Sequence, residues 1–206
     1  VLREKLTPDY TFGCKRVVLN GAFYEAMQQD NAELVTDRIQ GIDAGGIITS
    51  DGRHREFDVI VLATGFDSSA FIRPVKVFGR DGASLDQRWE EKICAYRSMC
   101  IPDFPNFFMT LGPNSPIGNY SVIAISEKQA DFAIDLITAW RKGQLPRVEV
   151  KASAMESWRA MLKSKLSSTI WASGCQSWYL DADGDPLTWP DSWKAWTAMM
   201  KKTDMS

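Results

Sequence analysis

One apolar run bounded by glycine, Asp58-Val-Ile-Val-Leu-Ala-Thr-Gly-Phe66, limits what this chain can fold into more than any other feature. Val59 to Ala63 show no alternation of apolar and polar residues, so both faces of the segment call for burial. A strand of that kind belongs inside a sheet covered by helices on both sides. Phe107-Phe108-Met109-Thr110-Leu111 reads as a second buried strand, ending at Gly112-Pro113-Asn114. A helix is predicted over about 121–141, where Val122, Ile125, Gln129, Phe132, Ala133, Leu136, Ile137 and Trp140 recur at three- and four-residue spacing. Asn119 or Ser121 can cap its start, and Lys142-Gly143 closes it with a positive charge and a glycine. Strands followed by small-residue loops and then helices give an α/β architecture. In open α/β sheets ligands sit beyond the carboxyl ends of the strands, here the loops after Leu62 and after Leu111.

The remaining elements are shorter. Residues 21–29 predict a short helix, and Glu33–Thr36, Ile39–Ile42 and Gly46–Thr49 predict short strands. Asp51-Gly52 marks a turn, and residues 71–79 a further short strand. Helices are predicted over Leu85–Lys92 and Ala152–Ser167. The tail from Trp171 to Trp196 carries five tryptophans and must pack against something to be ordered.

Charge and cysteine content remove several function classes. The 24 Lys and Arg against 26 Asp and Glu leave a net charge of −2, with no basic excess to draw nucleic acid or an anionic membrane. No apolar run approaches the roughly 20 residues of a membrane span, and no signal core opens the chain. Cys14, Cys94, Cys100 and Cys175 lack metal-ligand spacing, so no metal site is predicted. They read as four free thiols in a reducing, cytoplasmic compartment. The single histidine, His54, lies between two arginines after a turn and reads as exposed. The 206 residues suffice for one good-sized domain or two small ones. The chain begins Val1-Leu2-Arg3 without methionine and reads as part of a longer protein, a processed mature chain being the alternative.

Three places could carry chemistry. The loop 112–120 feeds a long helix, whose N-terminal N–H groups favour a phosphate or the electron-rich edge of a flavin; a plain connecting loop is the alternative. Ala63-Thr64-Gly65 presents little side chain and lets a cofactor approach closely, although many buried strands end this way. Lys15-Arg16, next to Gly13-Cys14, is either solvated surface charge or an anion-recognition step.

Four blocks occur in order: Tyr10-Thr-Phe-Gly-Cys-Lys-Arg16, Asp58 to Phe66, Phe104-Pro-Asn-Phe-Phe-Met-Thr-Leu-Gly-Pro-Asn114 running into a helix with Glu127 and Gln129, and Cys175-Gln-Ser-Trp-Tyr-Leu-Asp181. Together they resemble the carboxyl-terminal part of flavin-containing monooxygenases of the Baeyer–Villiger type. The resemblance implies partial doubly wound dinucleotide-binding folds with a helical, Trp-rich carboxyl-terminal segment. Residues 1–57 would be the end of an NADP-binding domain and residues 58–206 the last part of an FAD-binding domain. FAD and NADPH are the implied cofactors, a small-molecule ketone and O2 the implied reactants, and an ester or lactone formed through a C4a-peroxyflavin the implied outcome. Arg16 would be the active-site cation stabilising the negative oxygen species. Lys15 would read the 2′-phosphate of NADP. Thr64 and Gly65 would lie against the cofactors where the domains cross. Asn119, Ser121 and Val122 would put N–H groups near the flavin, and Trp178 would close over the nicotinamide.

Departures from the family pattern matter as well. Neither Gly-x-Gly-x-x-Gly turn occurs, nor the Phe-x-Gly-x-x-x-His-x-x-x-Trp fingerprint. The chain is therefore expected to depend on an amino-terminal remainder of the same polypeptide, to hold FAD weakly alone, and to self-associate through apolar edges. Two other readings compete: a flavin monooxygenase oxidising nitrogen or sulfur atoms, and a non-catalytic binding module built on the Trp-rich tail.

Overall fold

The computed structural model describes residues 2–118 and 120–201. The fold is mixed α/β and divides into two compact units. The first contains residues 1–10 and 17–67, the second residues 11–16 and 68–206.

In the first unit, short helices α1 (Leu2–Leu6) and α2 (Ala22–Ala26) precede an antiparallel sheet of β1 (Ile39–Ile42), β2 (Gly46–Thr49) and β3 (His54–Glu56), in that order. Ile42 pairs with Ile47, and Ile48 with His54. Side chains set the two turns. Asp43 Oδ1 accepts from the N–H of Gly45 at 2.8 Å and Gly46 at 3.0 Å, and meets His54 Nε2 at 3.0 Å. The His54 contact and these N–H groups hold the Asp43 carboxyl below its ordinary range. Position 46 admits only glycine, because a Cβ there would lie 1.9 Å from the Arg55 carbonyl oxygen. At the second turn Asp51 accepts from Thr49 Oγ1 and Arg53 N, and Gly52 takes φ +79°.

Three expectations fail in this unit. Glu33–Thr36 is not a strand. Nor is Asp58–Phe66, whose apolar side chains lie in the open, Val59 at 75% and Val61 at 80% exposure. The reason is physical. A strand exists through hydrogen bonds to neighbours about 4.8 Å away, and none of the described residues gives this segment a partner strand. His54 is exposed as expected, but it begins a strand rather than sitting in the turn.

The second unit is mainly helical: α3 (Leu85–Glu91), α4 (Val122–Arg141), α5 (Ala152–Leu166) and α6 (Trp193–Met200). Each predicted helix lies within two residues of its expected span. On α4 the stripe Ile125, Gln129, Phe132, Leu136 and Ala139 is buried, following the 3.6-residue period. Met155, Trp158, Leu162 and Leu166 form the matching stripe of α5. Both stripes meet Trp189, Trp196 and Met200 in the main core, where the rings of Trp158 and Trp189 stack at 5.7 Å. A second core gathers Leu85, Trp89, Ala95, Ile101, Phe104 and Met109. The predicted strands at 71–79 and 107–111 are irregular instead. Leu111 takes φ +55°, and its N–H bonds the Gln129 side chain at 2.8 Å, so no neighbouring strand takes that donor.

Candidate functional site

The loop from Leu111 to Gly118 is fixed from three directions before it enters α4. Asn114, 1% exposed, accepts through Oδ1 from Ala95 N at 3.3 Å and from the Cys94 thiol, and donates through Nδ2 to the Pro186 carbonyl at 2.6 Å. Its own N–H bonds Leu187 O. The Ser115 carbonyl accepts from Thr188 Oγ1 at 2.8 Å. From α4, fully buried Gln129 reaches back: Oε1 takes the Leu111 N–H, and Nε2 faces Ser98 O at 3.4 Å and Ser115 Oγ at 3.3 Å. A buried amide left without such partners would cost about 1–3 kcal/mol, so this network sets the path of the loop.

Ser121 caps α4, its hydroxyl accepting from Ala124 N at 3.5 Å. The N–H groups of Val122 and Ile123 have no acceptor within the helix. Ser121, Val122 and Ile123 are all exposed. A 20-residue helix thus opens with positive partial charge at an exposed end, beside apolar side chains. Asn119 lies outside the described residues.

Tyr179 closes the other side. Its ring lies 4.1 Å from Trp178 and 4.9 Å from Trp171 between centroids, and its exposure is 4%. The hydroxyl occupies the space a side chain at Gly118 would need: a Cβ there would meet it at 2.7 Å. Burial pushes the Tyr179 phenol up, while the nearby Arg16 guanidinium pulls it back. Tyr179 therefore brings two predicted features together, Trp178 and the loop entering α4. Lys15 and Arg16 are both exposed.

A covalent link adds to this cluster. Cys14 and Cys175 form a disulfide, with Cα atoms 5.4 Å apart and a sequence separation of 161. The expectation of four free thiols is corrected here: two positions remote in sequence are adjacent in the fold. Cys94 and Cys100 are free and buried, and burial raises their thiols to about 11 and about 12.

The tail is also pinned by charge. Lys92 Nζ lies 2.6 Å from Asp181, 3.2 Å from Asp183 and 2.6 Å from Asp185. Partial burial works against the ammonium, yet these hydrogen bonds outweigh it and hold its pKa above the ordinary value.

Thr64 and Gly65 belong to the first unit and are exposed; Gly65 takes φ +84° with open space where a side chain would be. Lys15, Arg16, Ser121, Val122 and Trp178 belong to the second. Sequence reasoning missed Tyr179, the Cys14–Cys175 pair and the part of Gln129 in the loop. The signal for the first two was present, since Cys175 and Tyr179 flank Trp178 in one block and Cys14 precedes Lys15 in another. Among the described residues, no cluster of His, Cys, Asp or Glu could hold a metal ion, and no helix is long and apolar enough to cross a membrane.

No family model matches the chain. It is 48% identical over 189 residues to an uncharacterized monooxygenase of Mycobacterium tuberculosis, covering 92% of this chain and 38% of that one. It is 36% identical over 208 residues to a Baeyer–Villiger monooxygenase of Pseudomonas aeruginosa, covering all of this chain and 40% of that one. Among solved structures, an oxidized steroid monooxygenase bound to NADP superimposes with a TM-score of 0.87 at 31% identity, covering 97% of this chain and 39% of that one. A closed form of cyclohexanone monooxygenase gives 0.83 at 30% identity, covering 96% and 38%. The chain thus spans about two fifths of the length of the curated relatives it matches.

Proposed function

The chain belongs to the Baeyer–Villiger monooxygenases, and on that premise we propose that it is the carboxyl-terminal part of an FAD- and NADPH-dependent enzyme. That enzyme inserts one oxygen atom of O2 into a small-molecule ketone, giving an ester or lactone, and the second atom leaves as water. Residues 1–57 are assigned to the NADP-binding domain and residues 58–206 to the FAD-binding domain. Both are then partial doubly wound folds, completed by the amino-terminal remainder of the polypeptide. The open apolar segment 58–66 supports this reading, because it has the composition of an interior strand and no partner among the described residues. The same exposed apolar surface supports self-association of the isolated chain.

The observation that carries the assignment is the gathering of Trp178 and the loop entering α4 around Tyr179, with the segment of Arg16 tied to the same tail through Cys14–Cys175. The residues present suit a flavin, since the positive end of α4 matches an electron-rich ring edge and the neighbouring exposed side chains are apolar. FAD, when bound, supplies the redox chemistry, taking electrons from NADPH and passing them to O2. This chain's residues supply charge, position and exclusion of water. The Arg16 guanidinium stabilises negative charge as it develops on oxygen during attack on the carbonyl. Lys15 serves as a point charge for the 2′-phosphate of NADPH. Ser121 and Val122 present the start of α4 to the flavin, and Asn119 is assigned with them. Trp178 covers the nicotinamide side and keeps water out. Thr64 and Gly65, which carry little side chain, are assigned to close approach of a cofactor.

The test uses the whole polypeptide from its source, loaded with FAD and supplied with NADPH, O2 and a panel of cyclic ketones and thioethers. Ester or lactone formed in step with NADPH consumption is the expected product. In Arg16→Ala, oxygen insertion falls by about 100-fold or more, the usual cost of removing a group aimed at developing negative charge. Products from thioethers alone, or an Arg16→Ala enzyme with unaltered lactone formation, would overturn the assignment.

A further inference from the structure

We propose that Cys14 and Cys175 form a reversible dithiol–disulfide couple that positions Arg16 against the Trp-rich tail. The argument begins with placement. Cys14 stands two residues before Arg16, and Cys175 three before Trp178 and four before Tyr179. The bond therefore ties the segment carrying the cation to the segment carrying the aromatic wall. Contact around the bond is close, since a Cβ at Gly13 would meet Ile170 Cγ2 at 3.6 Å. A Cα separation of 5.4 Å lies within the normal range for a disulfide. Neither cysteine lies in an α-helix or strand; Cys14 lies in a turn and Cys175 just past a short 3₁₀ turn, Ile170–Ser173. Without the bond no regular element carries the 11–16 segment.

Reversibility follows from access. Cys14 is 3% exposed, whereas Cys175 is only partly covered, between exposed Gly174 and Gln176. An external thiolate therefore attacks Cys175 Sγ. The S–S bond breaks, and the Cys14 sulfur leaves and takes up a proton. A second external thiol attacks the mixed disulfide and frees Cys175. The two external thiols become one disulfide, and the protein gains two electrons and two protons. In the other direction a peroxide is the oxidant. The Cys175 thiolate attacks its O–O bond, giving a sulfenic acid and one water. Cys14 sulfur then displaces the hydroxyl as a second water, so two thiols and one hydrogen peroxide give one disulfide and two waters. Cys94 and Cys100 do not compete, being buried.

The positioning part rests on the function proposed above; the chemistry of the pair does not. The test uses the whole polypeptide with FAD bound, poised at a series of reduced and oxidised dithiothreitol ratios. Free thiols are blocked with N-ethylmaleimide in the native state, and tryptic peptides are weighed. A linked Cys14–Cys175 pair is expected at oxidising poise, with both residues alkylated at reducing poise and Cys94 and Cys100 unlabelled until denaturation. Trypsin cleavage at Lys15 and Arg16 of the native protein is expected to quicken about tenfold on reduction, as local opening becomes easier. Over the same poise kcat/KM for NADPH is expected to fall about tenfold, in line with the cost of displacing a positioned group by an ångström or so. Both changes vanish in Cys14→Ser and in Cys175→Ser. Alkylation of both residues at every poise would overturn the couple. A linked pair with the same cleavage rate and kinetics in both states would overturn its positioning role. An enzyme inactive at every poise would overturn the proposed function, while the peptide masses and the cleavage rate would still decide the couple.

Discussion

Gly118 should be irreplaceable, and Tyr179 should be the reason for much of the loss. Replacing Gly118 with alanine has two separable costs. The residue sits at φ +111°, where an L side chain is strained by about 1–2 kcal/mol. The new methyl also meets the Tyr179 hydroxyl at 2.7 Å, with the ring carbons at 3.3 and 3.4 Å behind it. Tyr179 cannot swing aside freely, because Trp171 and Trp178 hold its ring. Forcing extra volume into such a place costs about 1–3 kcal/mol. Gly118→Ala alone should therefore destabilise by about 2–5 kcal/mol. In a Tyr179→Phe background the 2.7 Å contact is gone, and the backbone strain and the tighter-than-usual ring contacts remain. The same substitution should then cost about 1–3 kcal/mol, leaving a coupling of about 1–2 kcal/mol between the sites. The assay is a double-mutant cycle by urea unfolding on wild type, both single variants and the double variant of the whole polypeptide. Equal penalties for Gly118→Ala in the two backgrounds would refute the idea that the phenol fills the space over this glycine.

Two other perturbations probe the supports of the site. Gln129→Leu keeps the volume but removes the acceptor for Leu111 N–H and the donor facing Ser98 O and Ser115 Oγ, so unfolding should become easier by about 2–4 kcal/mol; a change below the error of a urea midpoint would show the network to be idle. Lys92→Met removes the cation shared by Asp181 and Asp185 and leaves Asp185 to Lys163 at 3.2 Å, which should lower the melting temperature at pH 7 and flatten the acid limb of the stability profile. The sign follows from the direction of each shift: the Asp185 carboxyl is lowered in the fold despite partial burial, through its bonds to Lys92 and Lys163, so its contribution is complete above about pH 4, the unfolded value, and is lost as pH falls through the folded one. The Lys92 ammonium is raised, so its contribution is present below about pH 10 and lost as pH climbs above that. An acid limb identical in wild type and Lys92→Met would sink this account of the tail.

Periodicity made the helices readable. Residues 122–141 repeat an apolar stripe whose spacing is a local property, and Ser121 is one of the two caps that the pattern offers. Strand β2 and the turn after it were readable for a related reason, since Asp51-Gly52 is a short-range turn signal, whereas the sequence marked no strand at His54–Glu56. The apolar runs at 58–66 and 107–111 misled, because composition states that a segment wants burial and not whether a partner strand stands beside it. At 107–111 the N–H of Leu111 found a side chain from α4 instead.

For the site, the sequence by itself determined residue types: a dibasic step, a helix opening after a glycine-rich loop, an aromatic tail and four cysteines. Their order along the chain was enough to mark the family resemblance. Only the tertiary structure decided which of them meet. Residues 14 and 175 are joined across 161 positions, Tyr179 stands over Gly118, and Lys92 holds the carboxylates of a tail some 90 residues onward. Local preferences act over a few residues through backbone sterics and neighbouring side chains. Contacts between distant positions form only when the core of α4, α5 and α6 has closed and set the distances between the loops it carries.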